Sequence, residues 1–394
     1  MKFFLVFLLT VSFSFGAEVV DVDERYQDST KCKVCHQRIV NEWSDSWHAK
    51  SHFKNDEYFQ KSIEYVSRKK RRSINGVKVE CATCHNPRIS VTETGVDYEI
   101  AAVMGLNKGS KVDKAVNDDA ISEGINCVVC HNVDKIHDEY DKTKRGMDRV
   151  EWTKSGTMTG PYRDARSPYH KTKHHDFMDK TPNKLCFVCH ANDRSVEGLT
   201  FTNMEEQYVG DQKCVECHMG PRRKDVAATY EFNGKKKIRD VRNHSFMGGH
   251  YDEMLDGALK LELATKNNNL LITIKNPQPH NVPSGFGGRE LLLEVVFKNR
   301  KGNILDTKMI SLTTKYERKR GRKGIPHLAV KQTKDMSIPA KGSKTLKVTK
   351  VRGAKEADVR LSYRLVNDEI REMLELQEPI WSKKFPVDRE RKKL

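Results

Sequence analysis

The sequence is short of apolar residues for its length. Of its 394 residues only 37% are hydrophobic and 8% aromatic, and the mean hydropathy is −0.71. An ordinary hydrophobic core built from such a chain would be thin. Beyond residue 15 there is no apolar run approaching the roughly 18–20 residues that span a bilayer, which excludes an integral membrane protein with spanning helices. No cysteine stands outside one repeated pattern, so the disulfide framework usual for an exported chain is missing too. Disorder is the remaining outcome for so polar a chain. It sits badly with 4 Trp, 12 Tyr, 15 Phe and 10 Cys. Something other than side chains should fill the interior.

The start of the chain reads Met1-Lys2, then an almost wholly apolar Phe3 to Phe15, then Gly16-Ala17. A basic start, a short apolar stretch and small residues at a junction describe a secretory signal over residues 1–16. No cysteine lies near that junction to carry a lipid. The sequence therefore predicts an exported, periplasmic protein.

The ten cysteines form five units: Cys32-x-x-Cys35-His36, Cys81-x-x-Cys84-His85, Cys127-x-x-Cys130-His131, Cys186-x-x-Cys189-His190 and Cys214-x-x-Cys217-His218. Two thiols three residues apart lie about one helical turn from each other, so both can bond the vinyl groups of one porphyrin. The imidazole that follows then serves as the proximal iron ligand. Zinc also uses Cys-x-x-Cys, but its sites combine paired half-sites, and five identical units do not pair off. A thioredoxin-like redox motif would not recur five times with His attached. The reading is five covalently bound haem c groups, whose porphyrin faces supply the apolar surface that the polypeptide lacks. Short helices and loops wrapped around cofactor should follow.

Ten histidines remain outside the motifs, and bis-His ligation of five irons needs five of them; methionine is the alternative ligand. Ile39, Trp43 and Trp47 recur every four residues, which predicts a helix from Arg38 to Phe53 with His48 and His52 on an adjoining face. Ser167-Pro-Tyr-His170 reads as a turn presenting an imidazole, with His174 and His175 as competitors. His137 follows the third motif by six residues. His244 precedes Ser-Phe-Met-Gly248-Gly249, where the glycines allow close approach to a flat surface. His48, His137, His170, His244 and His280 are the expected distal ligands.

Cys32-x-x-Cys-His36 with Trp43-x-x-x-Trp47-His48-Ala49 resembles the opening of multihaem c-type cytochromes related to the tetrahaem electron carriers of ammonia oxidisers. Glu123-Gly-Ile-Asn-Cys127, Ser167-Pro-Tyr-His170, Cys217-His218-Met219, His244-Ser-Phe-Met-Gly-Gly249 and His280-Asn-Val-Pro-Ser-Gly285 continue the likeness. The resemblance implies electron transfer. It departs from the family in having five motifs rather than four, and no Cys-x-x-Cys-Lys unit of the nitrite-reducing type is present.

After residue 257 the character changes. Leu291, Leu293, Val295 and Phe297 alternate, as do Val359, Leu361, Tyr363 and Leu365, and turns of Gly, Pro and Asn separate such runs. The fold class is thus α+β, with a haem-packed domain over residues 17–257 followed by a β-sandwich over residues 258–394. His280 lies in a Pro- and Gly-rich loop of that sandwich and is expected to reach across to an iron. His327, in another loop, is expected to be a bystander. From Asp256 onwards there are 31 Lys+Arg and 16 Asp+Glu, a balance of +15, against +2 for the rest. The clusters Arg318–Lys323 and Arg389–Lys393 suit an acidic redox partner or peripheral contact with an anionic membrane. Nucleic acid does not fit an exported haem protein. Electron transfer is the leading function. An oxidoreductase acting on a small nitrogen or sulfur compound at one open haem is the alternative, and a haem-filament subunit a third.

Overall fold

The computed structural model describes residues 27–137, 144–154, 156–229 and 236–394. The expected signal segment lies outside the described residues. The first half is built from short helices: α1 (Ser29–Ser44), α2 (Glu57–Lys70), α3 (Ile74–His85), α4 (Val96–Val103), α5 (Lys111–Val116), α6 (Cys127–His131), α7 (Asn183–His190) and α8 (Cys214–His218). Caps explain where several begin. The side chains of Asp28, Asp56, Ser73 and Ser110 each accept a hydrogen bond from a first-turn backbone N–H.

The helix expected over Arg38–Phe53 stops at Ser44. Ser44-Asp45-Ser46 are residues that compete for backbone hydrogen bonds, and turns carry the chain from there to Asn55. Trp43 stays buried, with its indole N–H donating to the Ile125 carbonyl at 2.9 Å. Trp47 instead packs edge-on against Trp381 of the second half, with ring centres 5.5 Å apart.

From Lys260 the chain is mainly antiparallel strand. Ile304–Thr313, Glu290–Lys298, Glu356–Arg364 and Phe385–Lys393 form one sheet in that spatial order, and Ser343–Thr349, Asn269–Lys275 and Lys260–Lys266 form another. The alternation legible in the sequence marks the most deeply buried positions, although Glu290, Leu292 and Val296 beside them are buried too. Leu291, Leu293, Val295 and Phe297 are fully buried, as are Leu270, Ile272 and Ile274. Truncating one such side chain to Ala would cost about 2–5 kcal/mol. The two sheets share one apolar cluster, and that cluster does not end at residue 258: Tyr58, Phe59, Ile63 and Val66 of α2 belong to it. Glu57, at the start of α2, accepts from the backbone N–H groups of Gln377 and Glu378 and from the Trp381 indole at 2.7–2.9 Å. No described helix is long and apolar enough to cross a membrane.

Candidate haem-binding sites

Every Cys-x-x-Cys-His unit lies on a helix. It occupies the whole of α6 and α8, closes α3 and α7, and sits inside α1, where His36 leaves helical geometry at φ −112° and ψ 37°. Helical spacing turns both thiols of a unit to one side. In α3, α6, α7 and α8 the helix stops at the histidine. All ten cysteines are free of disulfides and half-buried. Among the described residues no three His, Cys, Asp or Glu side chains converge as a protein-only metal site requires.

Sulfurs of different units meet. Cys32 lies within hydrogen-bonding reach of Cys127, Cys84 of Cys189, and Cys186 of Cys214. Cys130 lies within electrostatic range of Cys189 and Cys186. The first unit therefore adjoins the third, the third adjoins the fourth, and the fourth adjoins both the second and the fifth.

The imidazoles repeat this economy of space. The ring of His190 faces that of His48 at 6.3 Å between centres, His131 faces His244 at 6.5 Å, and His218 faces His280 at 6.3 Å. A metal–imidazole bond of about 2 Å on each side, plus half a ring on each side, spaces two ring centres by about 6 Å. The pairs thus have the separation of two imidazoles sharing one metal ion. His170 faces His36.

Hydrogen bonding orients these rings. Nδ1 of His36 donates to Ala227 O at 2.8 Å, that of His131 to Thr159 O at 2.7 Å and that of His218 to Met247 O at 2.6 Å. On the facing side, Nδ1 of His170, His244 and His280 meets the carbonyls of Lys171, Arg242 and Asn281 at 2.9–3.1 Å. A proton held on Nδ1 leaves the Nε2 lone pair for metal, the tautomer that ligating histidines use. Burial pushes the His48 imidazole down to about 3 and those of His85, His190 and His244 to about 4, so all are neutral at pH 7 and able to donate a lone pair.

The loop bearing His280 is held from both halves. Val209 N–H donates to Pro279 O at 2.7 Å and the Thr202 hydroxyl to Gly285 O at 2.6 Å. From the sandwich side the buried Asn276 amide donates to His280 O at 2.8 Å. The glycines of these segments meet flat surfaces, but those surfaces are tyrosines. A Cβ on Gly249 would strike the Tyr363 ring, and one on Gly287 the Tyr316 ring.

One expected ligand lies elsewhere. His137 has its Nε2 3.0 Å from Glu151 Oε1, on the paired strands Val133–Ile136 and Val150–Trp152. Proximity in sequence to the third motif suggested otherwise, but the hairpin turns it to a carboxylate. His175 is likewise held by Asp134 at 2.9 Å, and His52 accepts from Lys54 N–H at 3.2 Å. His250 lies against Trp47 and lines a cavity of about 310 Å³ with Trp381. His327, expected to be a bystander, is packed among Tyr58, Phe201 and Phe286, with His85 within electrostatic range. The signal that sequence reading passed over is Pro326-His327, a repeat of Pro279-His280.

Paired thiols on one helical face, each pair followed by an imidazole, with a non-motif imidazole opposite three of the five, suit covalently bound haem. They define the chain as a multihaem c-type cytochrome, an electron-transport protein. More narrowly, it belongs to the cytochrome c554 and c-prime family, whose model matches residues 31–132 and 134–238. Its fold is similar to that of a penta-heme cytochrome c552 from Thermochromatium tepidum, with a TM-score of 0.69 at 18% identity over 93% of this chain and 98% of that one. A superoxide reductase in the oxidized state aligns with 35% of this chain and 87% of its own at 7% identity and a TM-score of 0.18, too dissimilar to bear on the fold. Compared with curated proteins by sequence, the chain has no significant match.

Proposed function

We propose that the chain carries five haem c groups and passes electrons through them, with bis-His pairs His36–His170, His131–His244, His190–His48 and His218–His280. The facing of motif and non-motif imidazoles at 6.3–6.5 Å carries this reading. Bound haem iron supplies a one-electron couple. The chain's residues do the rest. Cysteines fix each site, imidazoles oppose one another, carbonyls hold Nδ1 protons in place, and neutral buried rings stay available to metal. The sulfur contacts Cys32–Cys127, Cys84–Cys189 and Cys186–Cys214, with Cys130 near Cys189, support a route from first to third to fourth, with a fork at the fourth towards the second and the fifth.

Export fits covalent haem with no disulfide, and the exposed Arg320, Arg322 and Lys323 suit docking of an acidic redox partner. Intact mass of the holoprotein tests the stoichiometry, with five haem masses expected above the processed polypeptide. Electron paramagnetic resonance tests the axial pairs. Low-spin ferric signals support carriage of electrons, whereas a haem that binds small nitrogen or sulfur compounds would replace it with the oxidoreductase reading.

A further inference from the structure

Four motif histidines have a non-motif imidazole assigned, which leaves His85. Its ring stacks on Phe59, with centres 3.9 Å apart and planes 14° from parallel. The neighbouring residue on α2, Tyr58, has its ring 6.3 Å from that of His327. Two adjacent residues of one helix therefore contact His85 and His327, one each.

His327 sits in the short turn Pro326–Leu328, between the buried Ile325 and Leu328. The turn is clamped to the haem-bearing half. His327 O accepts from Val196 N–H at 2.9 Å, and Ala329 O accepts from the Ser195 hydroxyl at 2.7 Å. Around the ring stand Phe201 at 5.0 Å, Phe286 at 6.2 Å and Tyr58. His327 Nδ1 is buried without a hydrogen-bond partner among the described residues. The charged and titratable groups within electrostatic range of it are His85 and Arg145, and Arg145 is itself engaged by Asp193 and by the carbonyls of Arg194 and Glu80.

A polar ring in so apolar a setting is costly unless its other nitrogen gains a strong partner. Among the imidazoles not yet assigned, His250 also has a buried nitrogen, Nε2, without a hydrogen-bond partner among the described residues, but its ring contacts are Trp47 and Tyr251 rather than Tyr58. His52, His137 and His175 already engage Lys54, Glu151 and Asp134. His174 has its Nε2 3.9 Å from an Asp176 carboxylate oxygen.

We infer that His327 is the second axial ligand of the iron held at Cys81, Cys84 and His85. The inference rests on the multihaem reading above and completes it: the sandwich then closes two sites, through Pro279-His280 and Pro326-His327. Position explains why the fork's second branch would end beneath this domain. The chemistry required of His327 is that of a neutral imidazole giving the Nε2 lone pair to ferric or ferrous haem.

Holoprotein of the wild type and of His327→Ala, His327→Met and His85→Ala tests this by electron paramagnetic resonance and magnetic circular dichroism. Five low-spin haems are expected in the wild type. His327→Ala should convert one of five to high spin, and added imidazole should return it to low spin. His327→Met guards against a variant that does not fold. It should keep five low-spin haems while one gains a sulfur-to-iron charge-transfer band and a higher potential. A His327→Ala spectrum identical to that of the wild type overturns the inference, as does a wild type already holding one high-spin haem that His327→Ala leaves unchanged. Intact mass separates the two levels. Five haems with a silent His327→Ala sinks His327 alone, whereas fewer than five in the wild type sinks the multihaem reading beneath it.

Discussion

The rings of His218 and His280 face each other at 6.3 Å and 28° although one closes the last motif of the helical half and the other belongs to a loop of the β-sandwich. The contact joins the two halves through a pair of side chains, and it predicts a compound phenotype. His280→Ala should turn one haem of five towards high spin, restored by imidazole. It should also loosen the sandwich, read as faster amide exchange at Val209, whose N–H donates to Pro279 O. A low-spin spectrum unchanged from the wild type would make the loop an ordinary surface connection.

His137→Ala and His175→Ala should leave every haem low-spin, because carboxylates of Glu151 and Asp134 already occupy their Nε2 atoms. Each loses one partly exposed contact with a carboxylate, a change within about 1 kcal/mol of the parent in thermal unfolding. A new high-spin signal in either variant would restore it to the ligand set.

Legibility in the sequence follows the range of each interaction. Cys-x-x-Cys-His is complete within five residues, so each unit could be read directly, and the alternation of Leu291, Leu293 and Val295 announced a strand because its period is local. The facing imidazoles are set by tertiary packing. His244 was proposed from its neighbours and His280 from its prolines, and each ring faces a motif imidazole. His137 was chosen for closeness in sequence, which the hairpin from Val133 to Trp152 defeats. His327 carries almost no local mark, since what distinguishes it is burial among Tyr58, Phe201 and Phe286. The helix expected to reach Phe53 failed at Asp45 because a stripe of tryptophans does not outweigh breaker residues once tertiary partners exist for Trp47.

Asp358 offers a test of the sandwich by itself. It is fully buried at the strand centre, with Arg389 donating at 2.6 and 2.8 Å and Lys298 at 3.3 Å. These hydrogen bonds, Arg389 first, hold its carboxyl well below the usual carboxylate range. A depressed folded value contributes stability that is complete above the unfolded value of about 3.9 and is lost as pH falls through the folded one. Asp358→Asn should therefore lower stability by about 1–3 kcal/mol at pH 7. On acidification below about pH 4 the wild type should lose more than the variant, so their melting temperatures should converge. A pH-independent gap between them would mean that the charge is not what matters.

The basic balance of the second half should show itself in kinetics. Some of that charge is spent inside the molecule: Lys319 meets Glu197, Lys323 meets Glu369, and Arg389 meets Asp358. If the exposed remainder at Arg320 and Arg322 steers an acidic protein donor or acceptor, stopped-flow electron transfer should slow severalfold as salt rises towards 0.15 M, where screening acts within about 8 Å. Arg320→Glu with Arg322→Glu should weaken that dependence. A rate indifferent to salt would leave the charge as a solubilising coat, and binding to anionic vesicles without protein partners would redirect it to a membrane surface.

The contrast between self-contained thiol pairs and distant opposing rings has a consequence for biogenesis. Attachment of porphyrin asks nothing of the fold, because each unit offers its sulfurs and first imidazole within five consecutive residues. Closure asks for nearly the whole polypeptide. A chain broken off before residue 280 would keep all ten sulfurs yet never supply the ring that faces His218, and it would lack most of the strands whose cluster α2 completes. Truncated translation products would then be coloured but coordinatively unfinished, recognisable to quality control by an exposed iron rather than by missing cofactor.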